Sequence, residues 1–160
     1  MATKAEAAHE RFKARLGQED GLSDWHQVKQ DQINLFADAT GDHQFIHVDP
    51  EKSAQLSPYK VTIAHGFLTL SLIPFLSGKM PPSDPAAYDG VYMGVNYGLD
   101  KVRFPSPVKV NSRIRARRVL SEADLKGDGV IQLKHTVTIE IENEGKPACV
   151  AEMLTRLMYG

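Results

Sequence analysis

The chain has 160 residues, of which 42% are hydrophobic and 24% charged, and its formal net charge is −1. This length suits one domain with a core that needs no disulfides, and the small net charge excludes an overall field that would hold nucleic acid or an anionic membrane. The only cysteine, Cys149, is typical of a reducing compartment. Because the N-terminus lacks the apolar core of a signal peptide, we predict a cytoplasmic protein that does not enter a membrane.

Helical periodicity dominates the first half of the chain. Apolar residues at i, i+4 and i+8 predict a helix over 3–16, inside an N-terminal extension that we place at 1–22. Two further helices are predicted, over 31–39 and 49–56. A glycine shortly after the first is a typical helix stop, and an Asp-Pro pair at the start of the second is a typical helix start. A longer apolar run predicts a fourth helix over 64–78.

The helix over 64–78 should be the centre of the fold. It is apolar on nearly every face, which is typical of a helix buried on all sides, and Pro74 should bend or end it. Later in the chain, alternating apolar residues over 131–141 and a turn at 143–146 predict two antiparallel strands. Helices followed by antiparallel strands indicate an α+β domain, whose curved sheet would wrap around the buried helix.

A basic run at 113–118 alternates with apolar residues. This spacing is typical of the solvent face of a strand, whereas a nucleic-acid site needs a contiguous basic patch, so we predict no nucleic-acid partner. The segment 122–129 is predicted to be a loop. His135 occupies an apolar position of the strand over 131–141, and we expect it to be a satisfied core or interface histidine.

Residues 40–49, TGDHQFIHVD, gather polar side chains around a glycine turn. A metal site would use His43, His47 and Asp49. The flanking glycine and proline predict a loop, however, so a helical ligand spacing does not apply and we predict no metal site.

Asp42 and His47 form a second candidate, an acid–base pair. A carboxylate beside an imidazole holds one tautomer, raises its basicity and can position a water between two proton-transfer groups. Five extended residues cover about 16 Å, so the pair needs a turn that begins at Gly41. The alternative is structural: Asp42 would satisfy backbone amides after the helix, and His47 would be a half-buried packing residue.

His65 and Gly66 stand where the predicted long helix begins. Free N–H groups at a helix N-terminus favour an anion or a polarised carbonyl, and glycine permits close approach of an oxygen. Ser71 would face inward from the same helix. The alternative is a capped core helix with a glycine for close packing.

The two stretches together resemble the MaoC-like family of (R)-specific enoyl-CoA hydratases, and within it the branch of nodulation protein N-like proteins. The family's signature is close to G-D-x-N-P-x-H-x-D. It stands at 41–49 as GDHQFIHVD, in which Gln44 and Phe45 replace Asn and Pro, and an H-G pair follows at 65–66. The resemblance implies a single hotdog domain over 23–160, an antiparallel sheet wrapped around a long central helix.

The resemblance also implies an activity and a set of site residues. Asp42 and His47 would be the catalytic pair, Gly66 would offer its N–H to the thioester oxygen, and Ser71 would line the pocket. The reaction would add water across trans-2-enoyl-CoA to give (R)-3-hydroxyacyl-CoA, without metal or other cofactor, because CoA is part of the substrate. A homodimer with acyl-CoA at its interface is implied. A thioesterase on the same fold and a non-catalytic acyl-thioester-binding module are the alternatives.

Overall fold

The computed structural model describes all 160 residues and is built on one antiparallel sheet. Its strands, numbered in chain order, are β1 (Glu19–Leu22), β2 (His26–Gln27), β3 (Val91–Arg103), β4 (Arg113–Leu125), β5 (Val130–Ile141) and β6 (Cys149–Tyr159). The order across the sheet is β1-β4-β5-β6-β3, and the short β2 also pairs with β4. The long strands follow the helices in sequence, which confirms the α+β class.

The strands form where the sequence alternates. Every second residue of β5, from Ile131 to Ile141, is buried, as its pattern predicts. On the opposite face Arg115 and Arg117 both donate to Glu140 of β5. These arginines of the basic run therefore lie on the solvent face of β4, and their charge is balanced across the strands. The loop predicted at 122–129 is too long, because the end of β4 pairs with the start of β5 and only four residues connect them.

The helices are α1 (Lys4–Lys13), α2 (Gln30–Thr40), α3 (Phe45–Val48), α4 (Pro50–Leu56), α5 (Gly66–Ser71) and α6 (Ile73–Ser77), with a 3-10 helix at Pro85–Tyr88. The predicted helix ends are confirmed at Gly41, which has a φ of 82°, and at Asp49, whose carboxylate accepts the Lys52 N–H at 3.0 Å. The loop predicted between them is interrupted by the single turn of α3.

The predicted helix over 64–78 is divided into α5 and α6 at Leu72, two residues before Pro74. Proline has no N–H to donate to the preceding turn, which explains the break. The prediction that this helix is buried on all sides is wrong for the single chain, since Phe67 is 67% exposed and Phe75 is 45% exposed. The sheet covers one side of the helix pair only, the side that carries Leu68, Ile73 and Leu76.

Two apolar clusters share the inner face of the sheet. The larger lies under α5 and α6, and the smaller lies where Ala5, Ala8 and Phe12 of α1 pack against residues such as Leu120 and Leu133. The helix predicted over 3–16 is therefore present and packed on the sheet, while the division of the chain at residue 22 stays a prediction. None of the helices is long and apolar enough to cross a membrane.

Candidate active site

Asp42, His47 and His65 come together at one end of the long helix pair. Gly41 ends α2 in the left-handed conformation, and the single turn of α3 then carries His47 into the core. One carboxylate oxygen of Asp42 and one ring nitrogen of each histidine lie within 4.8 Å of one another. The turn at Gly41 thus brings Asp42 and His47 together, as the acid–base interpretation requires.

The tautomer of His47 follows from its hydrogen bond to the backbone. Its Nδ1 lies 2.7 Å from the carbonyl oxygen of Ile63. A carbonyl only accepts, so Nδ1 carries the proton and Nε2 of the neutral ring is an acceptor. Burial lowers the pKa of His47, and although the Ile63 carbonyl and Asp42 oppose this shift, the pKa stays below its ordinary value. His47 is therefore a neutral base with a free nitrogen near neutral pH.

His65 contacts both members of this pair. Its Nε2 donates to the backbone oxygen of Asp42 at 2.9 Å, and its ring stacks on that of His47 with centroids 3.8 Å apart and planes inclined by 25°. The side chain is buried, and Nδ1 has no hydrogen-bond partner. The sequence places His65 at the start of the predicted helix but assigns it no catalytic or binding role. The sequence feature that points to it is the H-G pair.

A cavity of about 300 Å³ joins His47 to the start of α5. Gly66, Thr69 and Phe104 line it together with His47, so the base and the Gly66 backbone border one space. A Cβ at residue 66 would lie 3.0 Å from the Phe104 ring, a separation tighter than side chains normally adopt. Glycine is therefore the residue that fits between the helix start and this aromatic wall.

Ser71 lies apart from this cavity. The expectation that it faces inward is wrong for the single chain, because it sits on the side of the helix pair that the sheet leaves open. Its hydroxyl donates to the backbone oxygen of Phe67 at 2.6 Å. It borders a second groove, of about 370 Å³, together with Leu70, Asn96 and Tyr97.

The metal ligands considered from the sequence are not brought together. Asp49 caps α4, and the exposed His43 bonds to Asp38 at 2.8 Å, a contact that raises the pKa of His43. The three groups that do converge fit a metal poorly. The lone pairs of an imidazole lie in its ring plane, so the stacked rings of His47 and His65 hold theirs in two separate, nearly parallel planes, which does not favour convergence on one tetrahedral centre. The arrangement suits proton transfer better.

Comparison with known proteins matches residues 11–144 to the family model described as a MaoC like domain. The 3-hydroxyacyl-thioester dehydratase Z of Mycobacterium tuberculosis strain H37Rv is 50% identical over 143 residues, which cover 89% of this chain and 91% of that protein. Nodulation protein N of Rhizobium leguminosarum bv. viciae is 51% identical over 146 residues, which cover 91% and 88% of the two chains.

Solved structures show the same fold at low sequence identity. The monoamine oxidase regulatory protein of Archaeoglobus fulgidus has a TM-score of 0.73 at 20% identity, with 93% of this chain and 94% of that chain covered. The (R)-hydratase of A. caviae involved in PHA biosynthesis has a TM-score of 0.63 at 21% identity, with 88% and 94% covered. These likenesses confirm the predicted hotdog architecture.

Proposed function

The chain belongs to the MaoC-like dehydratase family and is a hydro-lyase, and from that premise we propose that it is an (R)-specific enoyl-CoA hydratase. The proposed reaction adds water across the double bond of trans-2-enoyl-CoA to give (R)-3-hydroxyacyl-CoA, and it runs in reverse as a dehydration. The observation that supports it best is the convergence of Asp42, His47 and His65 within 4.8 Å, beside a cavity that Gly66 also borders.

In the proposed mechanism Asp42 and His47 hold one water between them. The Asp42 carboxylate and the Nε2 of neutral His47 are both acceptors, so each takes one hydrogen of that water. As the water oxygen bonds to C3, one of its O–H bonds breaks and the pair takes the proton. The π electrons of the C2–C3 bond move toward the thioester oxygen. When they return, the pair delivers the proton that it took from the water to C2, so both residues regain their starting protonation states. General acid–base catalysis of this kind contributes roughly 100- to 10,000-fold.

The negative charge that develops on the thioester oxygen needs a hydrogen-bond donor to stabilise it. The Gly66 N–H is the proposed donor, because it opens α5 and borders the same cavity as His47. One such donor contributes about 3 kcal/mol to transition-state stabilisation. Ser71 is proposed to line the path of the acyl chain along the second groove, beyond the reacting atoms.

We propose a homodimer as the working form. β3 is the last strand of the sheet and exposes many apolar side chains in the single chain, and an open apolar edge of this length favours pairing with a second copy. These exposed side chains include Tyr92, Met93, Val95 and Leu99. The acyl-CoA would lie where the two copies meet. The reaction needs no cofactor in this scheme, because CoA is part of the substrate, and a cytoplasmic location stays a prediction.

The test is a direct assay of the purified protein with crotonyl-CoA and a longer trans-2-enoyl-CoA. Loss of the conjugated enoyl absorbance is followed in one well, and a thiol reagent reports free CoA in a parallel well. We expect loss of absorbance without thiol release, and (R)-3-hydroxyacyl-CoA as the product on chiral chromatography. Thiol release would instead assign a thioesterase. No change in either well across chain lengths would assign a non-catalytic binding module.

A further inference from the structure

A row of polar side chains crosses the inner face of the sheet between the two apolar clusters. Arg118 of β4 lies in the inward series that also contains Ile114, Ala116 and Leu120, and His135 lies in the inward series of β5. Leu120 pairs with His135, so Arg118 is its diagonal neighbour. Two ionisable residues thus occupy positions where the strand pattern otherwise places apolar ones.

Asp20 of β1 balances these two side chains. Its carboxylate lies 2.8 Å from Nε2 of His135 and 3.3 Å from the Arg118 guanidinium. Burial alone would raise the pKa of Asp20, but hydrogen bonds from His135 and Ser83 and the charge of Arg118 lower it overall, so Asp20 is ionised. Burial lowers the pKa of His135, which is therefore neutral. One cation, one anion and a neutral imidazole leave the trio without net charge.

Two hydrogen-bonding atoms of the trio remain unused. Nε of Arg118 is fully buried and has no partner. An unpaired buried donor is costly, and natural proteins rarely retain one without a use. Since ionised Asp20 only accepts, Nε2 of neutral His135 is the donor in their hydrogen bond, and Nδ1 of the same ring carries a lone pair. The trio can therefore offer one donor and one acceptor to a ligand.

A cavity of about 170 Å³ lies against Arg118 and His135. It has Pro74, Asn96 and Met153 in common with the groove beside Ser71, so the two spaces are adjacent. This volume has room for more than one water, whose share of the liquid is about 30 Å³.

The cavity lies farther along the same side of the helix pair as the proposed catalytic site. Four residues follow one another at helical spacing, and each borders at least one of the three spaces: Gly66, Leu70, Pro74 and Ser77. Eight residues at about 1.5 Å rise each place Pro74 about 12 Å from Gly66. That is the reach of a medium-length acyl chain whose thioester oxygen is held at Gly66.

We propose that this cavity binds the far end of the acyl chain and that it selects acyl thioesters with a hydroxyl group there. This inference rests on the proposed hydratase function and names the substrate class of the same site. A hydroxyl both accepts and donates, so it would accept from Arg118 Nε and donate to His135 Nδ1. Because Nε has no exposed surface, a small rotation of the Arg118 side chain would have to turn it toward the cavity. A carboxylate would find no free counter-charge in a trio that is already neutral, and a plain methyl end would leave the Arg118 donor unpaired.

The test compares two substrates of equal chain length, trans-2-decenoyl-CoA and 10-hydroxy-trans-2-decenoyl-CoA, with crotonyl-CoA as a reference that is too short to reach the cavity. For the unmodified protein we expect kcat/KM to favour the hydroxylated chain about tenfold, the ratio that corresponds to one hydrogen bond with a charged donor. Because the readout is a ratio within one protein sample, partial loss of folded enzyme does not change it.

Two variants test whether the trio is responsible. Arg118→Lys keeps the charge beside Asp20 but removes the Nε donor, and we expect the ratio to fall to about one or below, since the hydroxyl would then be buried without a partner. Ser77→Leu fills the cavity from the helix side without changing the trio and should have the same effect, which covers the case in which Arg118→Lys does not fold. Arg113→Lys, on the solvent face of the same strand, is the matched control and should keep the tenfold ratio.

The outcomes distinguish failure of the proposed hydroxyl site from failure of the proposed hydratase function. Turnover of crotonyl-CoA with no preference between the decenoyl substrates would overturn the hydroxyl site and leave the hydratase intact. A preference that survives both Arg118→Lys and Ser77→Leu would also overturn it. Failure to convert any of the three substrates would overturn the hydratase proposal, and the hydroxyl site with it.

Discussion

The His65 ring stacks on the His47 ring at a centroid distance of 3.8 Å, while its Nε2 holds the backbone oxygen of Asp42. One side chain therefore fixes the plane of the proposed base and the position of the loop that carries the proposed carboxylate. His65 touches neither water nor substrate in the proposed mechanism. We interpret it as a positioning residue that acts through His47 and Asp42.

Replacing His65 with Phe would keep a flat ring against His47 but lose the hydrogen bond to Asp42. We expect kcat to fall by about 100-fold with KM nearly unchanged, since small displacements of reacting groups cost rates of that order. The acid limb of the pH–rate profile should move to higher pH, because His65 helps to lower the pKa of His47. His43→Phe, at an exposed site, is the control. An unshifted acid limb in His65→Phe would reduce His65 to a packing residue.

Asp42→Asn removes the carboxylate with little change of shape. The side chain is exposed, and an amide oxygen can still accept the Gln44 N–H that Asp42 accepts at 3.3 Å. We expect turnover of crotonyl-CoA to fall by at least about 100-fold and the melting temperature to change little. Asp38→Asn, another exposed aspartate in the same region, should retain its rate. A near-normal rate for Asp42→Asn would remove Asp42 from the mechanism.

Metal removal should leave activity intact. The stacked geometry of His47 and His65 does not converge on a tetrahedral ion, and the proposed chemistry uses only protons and a backbone donor. We expect the rate with crotonyl-CoA to be unchanged after dialysis against EDTA and in metal-free buffer. Loss of activity that returns on addition of Zn²⁺ would show that the cluster of Asp42, His47 and His65 works as a metal centre.

The sequence predicts those features of this fold that depend on residues adjacent along the chain. The stop at Gly41, the cap at Asp49 and the alternation of β5 each follow from a few adjacent residues, and all are present. The contacts that build the sites join distant residues: Arg118 and Asp20 are 98 positions apart, and His65 and Asp42 are 23 apart. Local patterns do not contain such pairings.

The helix pair, α5 and α6, shows a second feature that the sequence alone does not predict. Its composition predicts burial, but composition does not say how many sides of a helix the same chain covers. In the single chain Phe67 and Phe75 remain exposed, on the side that the sheet does not reach. A second copy is the proposed cover, so the prediction of full burial would apply to the assembly rather than to one chain.

The homodimer can be tested through β3. A charge at Val95, which is 40% exposed on this strand, would be placed in the proposed interface. We expect sedimentation velocity to show a dimer for the unmodified protein and a shift toward monomer for Val95→Lys, since burying an unpaired charge is costly. Leu35→Lys introduces the same charge on α2 at an exposed apolar residue and should leave the dimer intact. A monomeric unmodified protein would contradict the proposed assembly.

His135 makes folding stability depend on pH. Its pKa is lowered by burial, so below about pH 6.5 the unfolded chain binds a proton on this residue while the folded protein does not. The free energy of unfolding should therefore decrease as pH falls from 7.5 to 5.5, with a contribution from His135 of no more than about 1.4 kcal/mol per pH unit.

Urea unfolding at several pH values measures this slope. His135→Gln can still donate to Asp20 but does not titrate, and its slope should be shallower than that of the unmodified protein between pH 7.5 and 5.5. The lowered pKa of Asp20 places its own loss of stability at lower pH, outside this window. His43→Gln, at an exposed histidine, should not reduce the slope. An equal slope in His135→Gln and the unmodified protein would mean that His135 binds protons equally in the folded and unfolded chains, and it would contradict the lowered pKa of His135.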